Sequence, residues 1–255
     1  MMIILAFFIG HWYLSLFFQT FFLHRYASHR AFTMSKRTEK VFYILTWFFQ
    51  GSNYLSPYGY GIMHRMHHAY ADTENDPHSP KYDESIWKMM WKTKTIYSAI
   101  TNRTMIVDSR FTEAIPDWKP FDTFARSWVS RLLWGLAYTA VYWQFATAWW
   151  MWLLLPLQFL LSPIHGAIIN WFAHKYGYRN YEVGDTSRNF LPFDFLMMGE
   201  SYHNNHHANG NSANFGIKWH EIDPTYQVIK LLNFIGVVKV KKSVSVELDS
   251  LKKAA

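Results

Sequence analysis

Two long stretches without a charged residue constrain the fold of this chain more than any other feature. Residues 1–24 contain no Asp, Glu, Lys or Arg, and neither do residues 132–173. One bilayer crossing takes about 20 apolar residues of helix. The first stretch is therefore long enough to cross once. The second is long enough to cross twice, with a turn predicted at 146–151, where tryptophans cluster as they do at membrane interfaces.

Composition narrows the classes of site that the chain can carry. It contains no cysteine, which excludes disulfides, thiolate zinc sites and cysteine-ligated iron–sulfur clusters. Its net charge is +7, and Trp, Tyr and Phe make up 20% of the residues. A basic surface suits anionic lipid head groups or phosphate-bearing carriers. No nucleic-acid-binding motif is present, so we expect lipid partners and no nucleic acid.

Nine of the 13 histidines fall in four short clusters. One cluster is H-x4-H, two are H-x-x-H-H, and a single histidine closes the segment NWFAH. Side chains three and four residues apart lie on one side of a helix, so each H-x-x-H-H box can direct three imidazoles to one region. The clustered residues are His24, His29, His64, His67, His68, His174, His203, His206 and His207.

These nine side chains predict a dinuclear metal site. Neutral imidazole binds iron, copper, zinc and nickel, and one octahedral metal accepts about six ligands, so nine ligands imply two metals. A surface tag or a zinc clip would explain one cluster but not four. The other four histidines are not predicted as ligands: His11 is expected to pack in the core, His165 to face away from His174, and His78 and His220 to lie in loops.

Carboxylates near the boxes are candidates to orient the ligands, because a ligating histidine usually donates its second N–H to a carboxylate or carbonyl. Glu200, three residues before His203, is the preferred candidate, and Asp76 is the second. Asp72 and Asp185 also lie near the boxes, but a solvated position is equally compatible with their sequence context.

A common metal site also constrains the membrane topology. The histidine clusters must lie on one side of the bilayer, so an even number of crossings must separate them. A single apolar run, 41–55, lies between the first two clusters, and it should therefore not cross. All 25 Lys and Arg residues fall at or after Arg25, which places 25–131 and 174–255 in the cytoplasm by the positive-inside rule. Both arguments predict three spanning helices.

The predicted organisation is thus a single all-α, integral-membrane domain. Residues 1–24 and 129–173 would span the bilayer. Residues 25–128 and 174–240 would form a cytosolic cap with interfacial helices, including an amphipathic helix at 85–100, and would hold the dinuclear site. Residues 241–255 would form a basic tail.

Five segments resemble the membrane fatty-acid desaturases, particularly the stearoyl-CoA (delta-9) group. They are HRYASHRAF, HRMHHAYADTENDPHSP, NWFAHKYGYRNY, GESYHNNHH and WHEIDPTYQVIKLL. The resemblance implies a mushroom-shaped helical fold, two Fe²⁺ ions in a cytosolic cap, and Asn170 reaching one metal through water. It also implies O2 as co-substrate and a separate electron donor of ferredoxin, rubredoxin or cytochrome b5 type.

Two departures from the animal enzymes accompany the resemblance. Those enzymes have four spans, and this chain matches them without the first. They also carry an Arg-Asp pair before the second histidine box, where this chain has Ile62 and Met63. The carrier of the acyl group is therefore open among coenzyme A, acyl carrier protein and phospholipid. Three cations are candidates to contact it: Arg65, Lys92 and Lys94.

The predicted function is oxygen-dependent introduction of a cis double bond, at delta-9, into a long-chain saturated acyl thioester or lipid, in a bacterial inner membrane. A hydroxylase or ketolase acting on fatty acids, alkanes or carotenoids is the alternative. A membrane electron-transfer protein with bis-histidine haem is a different class of function. It needs only two axial ligands per haem on facing spans, so nine histidines clustered outside the predicted spans argue against it. Helical steps of 100° from His24 predict that the first helix borders the substrate tail through Tyr13, Leu16 and Phe17, and the resemblance adds Trp12.

Overall fold

The computed structural model of the protein describes residues 1–241 and is mostly helical. The predicted basic tail, beyond Lys241, lies outside the described residues. Short 3-10 and π-helical segments connect or extend the α-helices. The α-helices are α1 (Met2–Phe18), α2 (Lys36–Gln50), α3 (Pro57–Tyr70), α4 (Ile86–Thr101), α5 (Ser109–Thr112), α6 (Lys119–Ala125), α7 (Trp128–Phe145), α8 (Leu154–Gln158), α9 (Leu161–Ala167), α10 (His203–Ala208) and α11 (Pro224–Phe234).

A two-stranded antiparallel sheet accompanies the helices. It pairs β1 (Phe32–Thr33) with β2 (Lys239–Val240), with Phe32 opposite Val240. The mostly helical prediction is confirmed, and this small sheet is a feature that an all-α assignment did not include. It ties the segment after the first histidine cluster to the end of the described chain.

The first uncharged stretch forms one continuous helix that is longer than predicted. Helix α1 runs without a break into a π-helical segment, Gln19–Ser28. Together they make the one single helix of residues 1–241 that is long and apolar enough to cross a membrane. Its 27 residues reach about 40 Å at α-helical rise, against about 30 Å of hydrocarbon. The helix is therefore about 10 Å longer than the hydrocarbon core is thick.

The second uncharged stretch is more broken than two simple crossings. Helix α7 ends at Phe145, and the chain turns at 146–148, inside the predicted turn region. Trp149–Gln158 then meets Leu161–Phe172 at 67°, and this bent pair is apolar enough to count as one broken span or a re-entrant loop. Helix α7 is not among the candidate spans, because Arg131 and its many Tyr, Trp and Thr residues lower its hydropathy.

Residues 1–241 thus supply one or two candidate spans where three were predicted. The run at 41–55 is not among them. It lies mainly in α2, which begins earlier than predicted because the Ser35 hydroxyl accepts from Thr38 N–H at 3.1 Å and caps the helix. Helix α2 buries Phe42 and exposes Phe48, so its two faces meet different surroundings.

Helix α4 has the amphipathic form that was predicted for residues 85–100. The Ser85 side chain caps it by accepting from Lys88 N–H at 3.3 Å. On this helix, the Met89 side chain is fully buried, whereas the Trp87 side chain is 81% exposed. Such an outward-facing Trp is what a helix lying on a membrane surface presents to lipid.

The histidine-bearing elements converge on the π-helical end of the first helix. Helix α3 packs along this segment, and α11 also contacts it. An aromatic core that includes Phe21, Phe22 and Tyr43 fills the space between the π-helical segment and α2. The first H-x-x-H-H box, on α3, therefore packs along the end of the first helix, and the second box reaches it where His206 Nε2 lies 2.9 Å from His24 Nε2.

Candidate metal centre

The two histidines of the H-x4-H cluster lie next to each other because the segment that carries them is a π-helix. In an α-helix, residues five apart are separated by about 140° around the axis. Here the His29 N–H donates to the His24 carbonyl at 3.2 Å, an i→i+5 hydrogen bond, which stacks the two residues on one side. A second π-helical segment, Ile168–Phe172, precedes His174. Both departures from α-helical geometry therefore lie next to candidate metal ligands.

Each H-x-x-H-H box divides its imidazoles between two groups. On a helix, positions i and i+4 point in nearly the same direction, whereas position i+3 points about 100° away from i+4. The i, i+4 pair of a box therefore joins one group, and its middle histidine joins the other. The i, i+4 pairs are His64 with His68 and His203 with His207, and the middle histidines are His67 and His206.

The nine clustered histidines form one group of five and one group of four. Within each group, the candidate ligand atoms all lie within 4.8 Å of one another. His11, His78, His165 and His220 belong to neither group. The group of five contains His24, His29, His64, His68 and His206, and the group of four contains His67, His174, His203 and His207.

All nine imidazoles present the same atom, Nε2, to the centre of their group. Contacts between neighbouring Nε2 atoms measure 2.8–3.3 Å. Adjacent ligands on a metal bound to nitrogen at about 2.1 Å lie ~3.0 Å apart. The spacing of the ring nitrogens is therefore that of ligands around a metal ion, and an all-imidazole set is one that iron accepts.

Three of the outer Nδ1 atoms have carboxylate partners that fix the tautomer, and a fourth contacts a hydroxyl, which can donate or accept. His24 Nδ1 lies 2.6 Å from Glu200 Oε2, and His67 Nδ1 lies 2.9 Å from Asp76 Oδ1. His207 Nδ1 lies 2.8 Å from Asp185 Oδ2. His174 Nδ1 lies 3.2 Å from the Thr186 hydroxyl. A carboxylate can only accept from a neutral imidazole, so the proton lies on Nδ1 and Nε2 keeps its lone pair.

Glu200 belongs to a buried charge network that the sequence did not reveal. Arg25 is fully buried, stacks over the Phe215 ring, and donates to Asp223 at 2.7 Å. Its guanidinium also lies 3.4 Å from Glu200, and both contact the Thr20 hydroxyl. Burial raises the pKa of Glu200, but His24 and Arg25 outweigh it and the net pKa is lowered. Glu200 therefore stays ionised as the acceptor for His24.

Burial keeps the ligand imidazoles neutral. It lowers the pKa of His64, His68 and His203 well below the usual value, and the neighbouring imidazoles lower each further. The same two causes act on His206 and His207. Because metal binding requires the unprotonated ring, these side chains do not lose a proton when they bind a cation near neutral pH.

A closed cavity of about 50 Å³ adjoins both groups. Leu16, Met63, Ile169 and Met197 form its apolar wall. Asn170 lines it together with ligand candidates of both groups, His24, His64 and His203. The cavity is also lined by Gln19, Tyr60, His78, His165 and Glu200.

The residues predicted on the substrate face of the first helix have different surroundings. Leu16 lines the cavity, and Trp12 packs edge-on against His165, which also lines it, at 4.5 Å. Tyr13 is 38% exposed, and Phe17 stacks on Phe21 in the aromatic core. Neither of these two residues lines the cavity, and the 100° steps that predicted their face run through Gln19–Ser28, where the helix is π-helical.

The three cations predicted to contact an acyl carrier lie in different surroundings, and Arg65 is held by the backbone. Its guanidinium donates to the backbone carbonyls of Ser28 at 2.7 Å and Glu113 at 2.7 Å, so it joins two segments of the fold. It lies on the side of the histidines away from the cavity. Lys92 lines a separate surface groove beside Glu74, and Lys94 stacks on Trp91.

The remaining histidines have distinct surroundings. His11 lies 2.9 Å from Gln158 and 3.3 Å from Tyr138, a polar contact of the predicted kind. His165 is fully buried, and neither of its ring nitrogens has a hydrogen-bond partner in the described chain. His78 lies in a turn, as predicted, and is buried against the His67 ring at 4.3 Å.

Comparison with known proteins decides the family. A family model described as fatty acid desaturase matches residues 1–232. The chain belongs to the fatty acid desaturase family. Members of this family are oxidoreductases of fatty acyl chains, and the histidine groups described above fit a metal-dependent, membrane-associated member.

Individual relatives are about equally similar. The chain is 30% identical over 239 residues to an acyl-CoA 5-desaturase of Anemone leveillei, covering 87% of this chain and 67% of the relative. It is 31% identical to delta-9 acyl-lipid desaturase 2 of Arabidopsis thaliana, covering 84% and 66%. It is 32% identical to an sn-1 stearoyl-lipid 9-desaturase of Synechocystis sp., covering 85% and 64%. The chain thus spans about two thirds of these relatives.

Proposed function

We propose that the protein is an oxygen-dependent, di-iron fatty-acyl desaturase that introduces a cis double bond, at delta-9, into a long-chain saturated acyl thioester or lipid. The observation that carries this proposal is the convergence of nine Nε2 atoms in groups of five and four beside a closed, partly apolar cavity. The names of the relatives support acyl-CoA and acyl-lipid substrates about equally.

Each histidine group would hold one iron ion. Iron bound there would supply, together with O2 and external electrons, the oxidising power to remove hydrogen from unactivated carbons, which acids and bases of the protein lack. Five imidazoles leave one of six octahedral positions open, and four leave two. Asn170, which lines the cavity together with His203, would hold a water at the group of four.

The surrounding residues hold the ligands and the substrate in place. Glu200, Asp76 and Asp185 orient imidazoles through their Nδ1 atoms. The apolar wall that includes Leu16 and Met197 would position the acyl chain and keep water away from the reacting carbons. Substrate would therefore approach the histidines from the membrane side.

The proposed topology retains the three-span arrangement in one domain. The first helix and residues 129–173 would span the membrane, with the histidine cap on the cytoplasmic side of a bacterial inner membrane. The charge distribution, with every Lys and Arg at or after Arg25, supports this orientation. A separate carrier of the ferredoxin, rubredoxin or cytochrome b5 type would supply the electrons.

Product analysis tests the function. The gene is expressed in cells that lack a desaturase, with a variant carrying His206→Ala as control, and fatty acids are analysed by gas chromatography and mass spectrometry with double-bond location. We expect a cis-9 monounsaturated acid from the unaltered protein only. An alcohol or ketone would indicate the hydroxylase or ketolase alternative, and an alkene at another carbon would refute the delta-9 assignment alone.

A further inference from the structure

An open surface groove lies on the opposite side of the histidines from the substrate cavity. Its volume is about 490 Å³, and it is lined by His29 and His68 of the group of five together with Arg65, Arg110 and Asn211. We call it the arginine groove. No residue that lines it also lines the closed cavity. The cavity and the groove therefore meet the histidines at different residues, and the groove is the more open and the more basic of the two.

The groove gives direct access to two ligand candidates. The rings of His29 and His68 lie at its floor, and their Nε2 atoms face the group of five. Gly210 packs over both rings, because a Cβ at this position would lie 3.2 Å from His29 Cε1 and 3.7 Å from His68 Cε1. Because glycine has no side chain, the backbone at Gly210 can lie close to the two imidazoles. No bulky side chain at this position then separates the imidazoles from the surface.

The charge of the groove is positive. Arg65 has its donors on backbone carbonyls rather than carboxylates, so its charge is not neutralised by a carboxylate partner. Arg110 is more than half exposed and lies 3.3 Å from the equally exposed Asp108, a pair that solvent screens strongly. The residues that line the groove include no Asp or Glu.

The location of the groove argues against a lipid partner. His29 follows the end of the 27-residue first helix, about 40 Å along its axis from Met2, whereas the hydrocarbon core is about 30 Å thick. The groove therefore opens beyond the bilayer, towards the aqueous phase. A basic surface at this position suits a soluble, acidic partner.

We propose that the arginine groove is the docking site of a small acidic protein that delivers single electrons to the group of five. This inference rests on the proposed function. Desaturation with reduction of O2 to two waters consumes four electrons, of which the two broken C–H bonds supply two. The other two, with two protons, must come from outside, so a one-electron carrier must dock twice per double bond. His29 and His68 are the ligands that such a carrier reaches first.

Charge reversal at Arg110 tests the docking site. The probe is reduced plant-type [2Fe–2S] ferredoxin, and the iron-loaded protein in detergent is assayed for ferredoxin binding and for turnover. For Arg110→Glu we expect the Kd and the KM for ferredoxin to rise on the order of tenfold at low ionic strength, and the difference to shrink as salt is added. Arg110→Lys, which keeps the charge but loses the hydrogen bond to Tyr70, should stay near the parent values.

Two controls separate the possible failures. Arg37→Glu makes the same change at an exposed residue in the first turn of α2 and should leave both constants unchanged, and turnover driven by dithionite should be the same in all variants. Equal ferredoxin constants for Arg110→Glu and Arg37→Glu would overturn the docking site, as would displacement of ferredoxin by free coenzyme A. Absence of desaturation with dithionite in the unaltered protein would instead refute the proposed function, while ferredoxin binding would still report on the groove.

Discussion

The volume in front of Leu16 should set the length of acyl chain that the protein accepts. Leu16 is 1% exposed and forms part of the apolar wall of the closed cavity. Leu16→Ala removes three side-chain carbons, which leaves room for about two further methylenes of a bound tail. Each buried methylene contributes about 0.8 kcal/mol. Two of them favour the longer substrate by ~1.6 kcal/mol, or roughly 15-fold in kcat/KM.

The opposite substitution should have the opposite effect. Leu16→Trp fills the cavity and should shift products towards chains about two carbons shorter. The assay supplies an equimolar mixture of saturated C14 to C20 substrates and measures the chain-length profile of the unsaturated products. Because Leu16→Ala also costs about 2–5 kcal/mol of stability, profiles are compared at equal amounts of folded protein.

Tyr13 provides a matched control on the same helix. It lies one turn earlier and is exposed, so Tyr13→Ala should leave the product profile unchanged. If both Leu16 variants keep the parent profile at comparable activity, Leu16 does not border the substrate tail. A shift caused by Tyr13→Ala would show that the substrate lies on a different face of the helix.

Three further predictions address the ligands and the topology. Glu200→Gln keeps the shape but removes the charge that accepts from His24 Nδ1, and metal affinity or activity measured on purified protein should fall about 10- to 100-fold; an unchanged value would exclude an orienting role. His206→Ala should abolish desaturation in the cell-based assay while the protein stays in the membrane, whereas His11→Ala should retain substantial activity; an active first variant would remove His206 from the site. Reporter domains fused after position 31 and after position 56 should report the same side of the membrane, because the run between them does not cross; opposite sides would refute a common metal site.

The sequence predicted which histidines assemble but not how they divide. Spacing of three and four is a local property, so helical geometry alone separates the middle histidine of each H-x-x-H-H box from its i, i+4 pair. The division into five and four depends on the direction in which α3 and α10 face the first helix, and this is set by tertiary packing. The pairing of Asp185 with His207 likewise joins a loop to a helix, and sequence separation alone could not favour it over a solvated position.

The π-helical segments explain why the predicted face of the first helix and the cavity lining differ. Gln19–Ser28 has no Gly or Pro and reads as an ordinary helix. Its i→i+5 hydrogen bonds alter the rotation between Leu16 and His24, so the face predicted from 100° steps includes Tyr13 and Phe17, which do not line the cavity. The spacing H-x4-H was the available signal, because two ligands five residues apart meet on one side only when the helix is wider than an α-helix.

Membrane spans were predicted from the absence of charge, which is a weaker criterion than hydropathy. Residues 129–173 lack formal charge except Arg131, yet Tyr, Trp, Thr and Gln reduce the hydropathy of α7. Sequence patterns also could not predict the contacts of Arg65. Its guanidinium joins two segments by donating to the backbone carbonyls of Ser28 and Glu113, and such contacts do not depend on the side chains of those residues. Contacts to the backbone are set by the fold and cannot be derived from composition.

The central claim is that two iron ions held by the nine histidines carry out desaturation, and a titration of metal against product tests it most directly. The purified protein, freed of metal, is loaded anaerobically with measured amounts of Fe²⁺, reduced, and exposed to O2 with a saturated acyl substrate. The alkene formed per chain is then plotted against iron bound per chain. We predict that product rises to its maximum at two irons per chain and that His203→Ala abolishes it. Full product at one iron per chain, or binding that saturates at one, would contradict the dinuclear site.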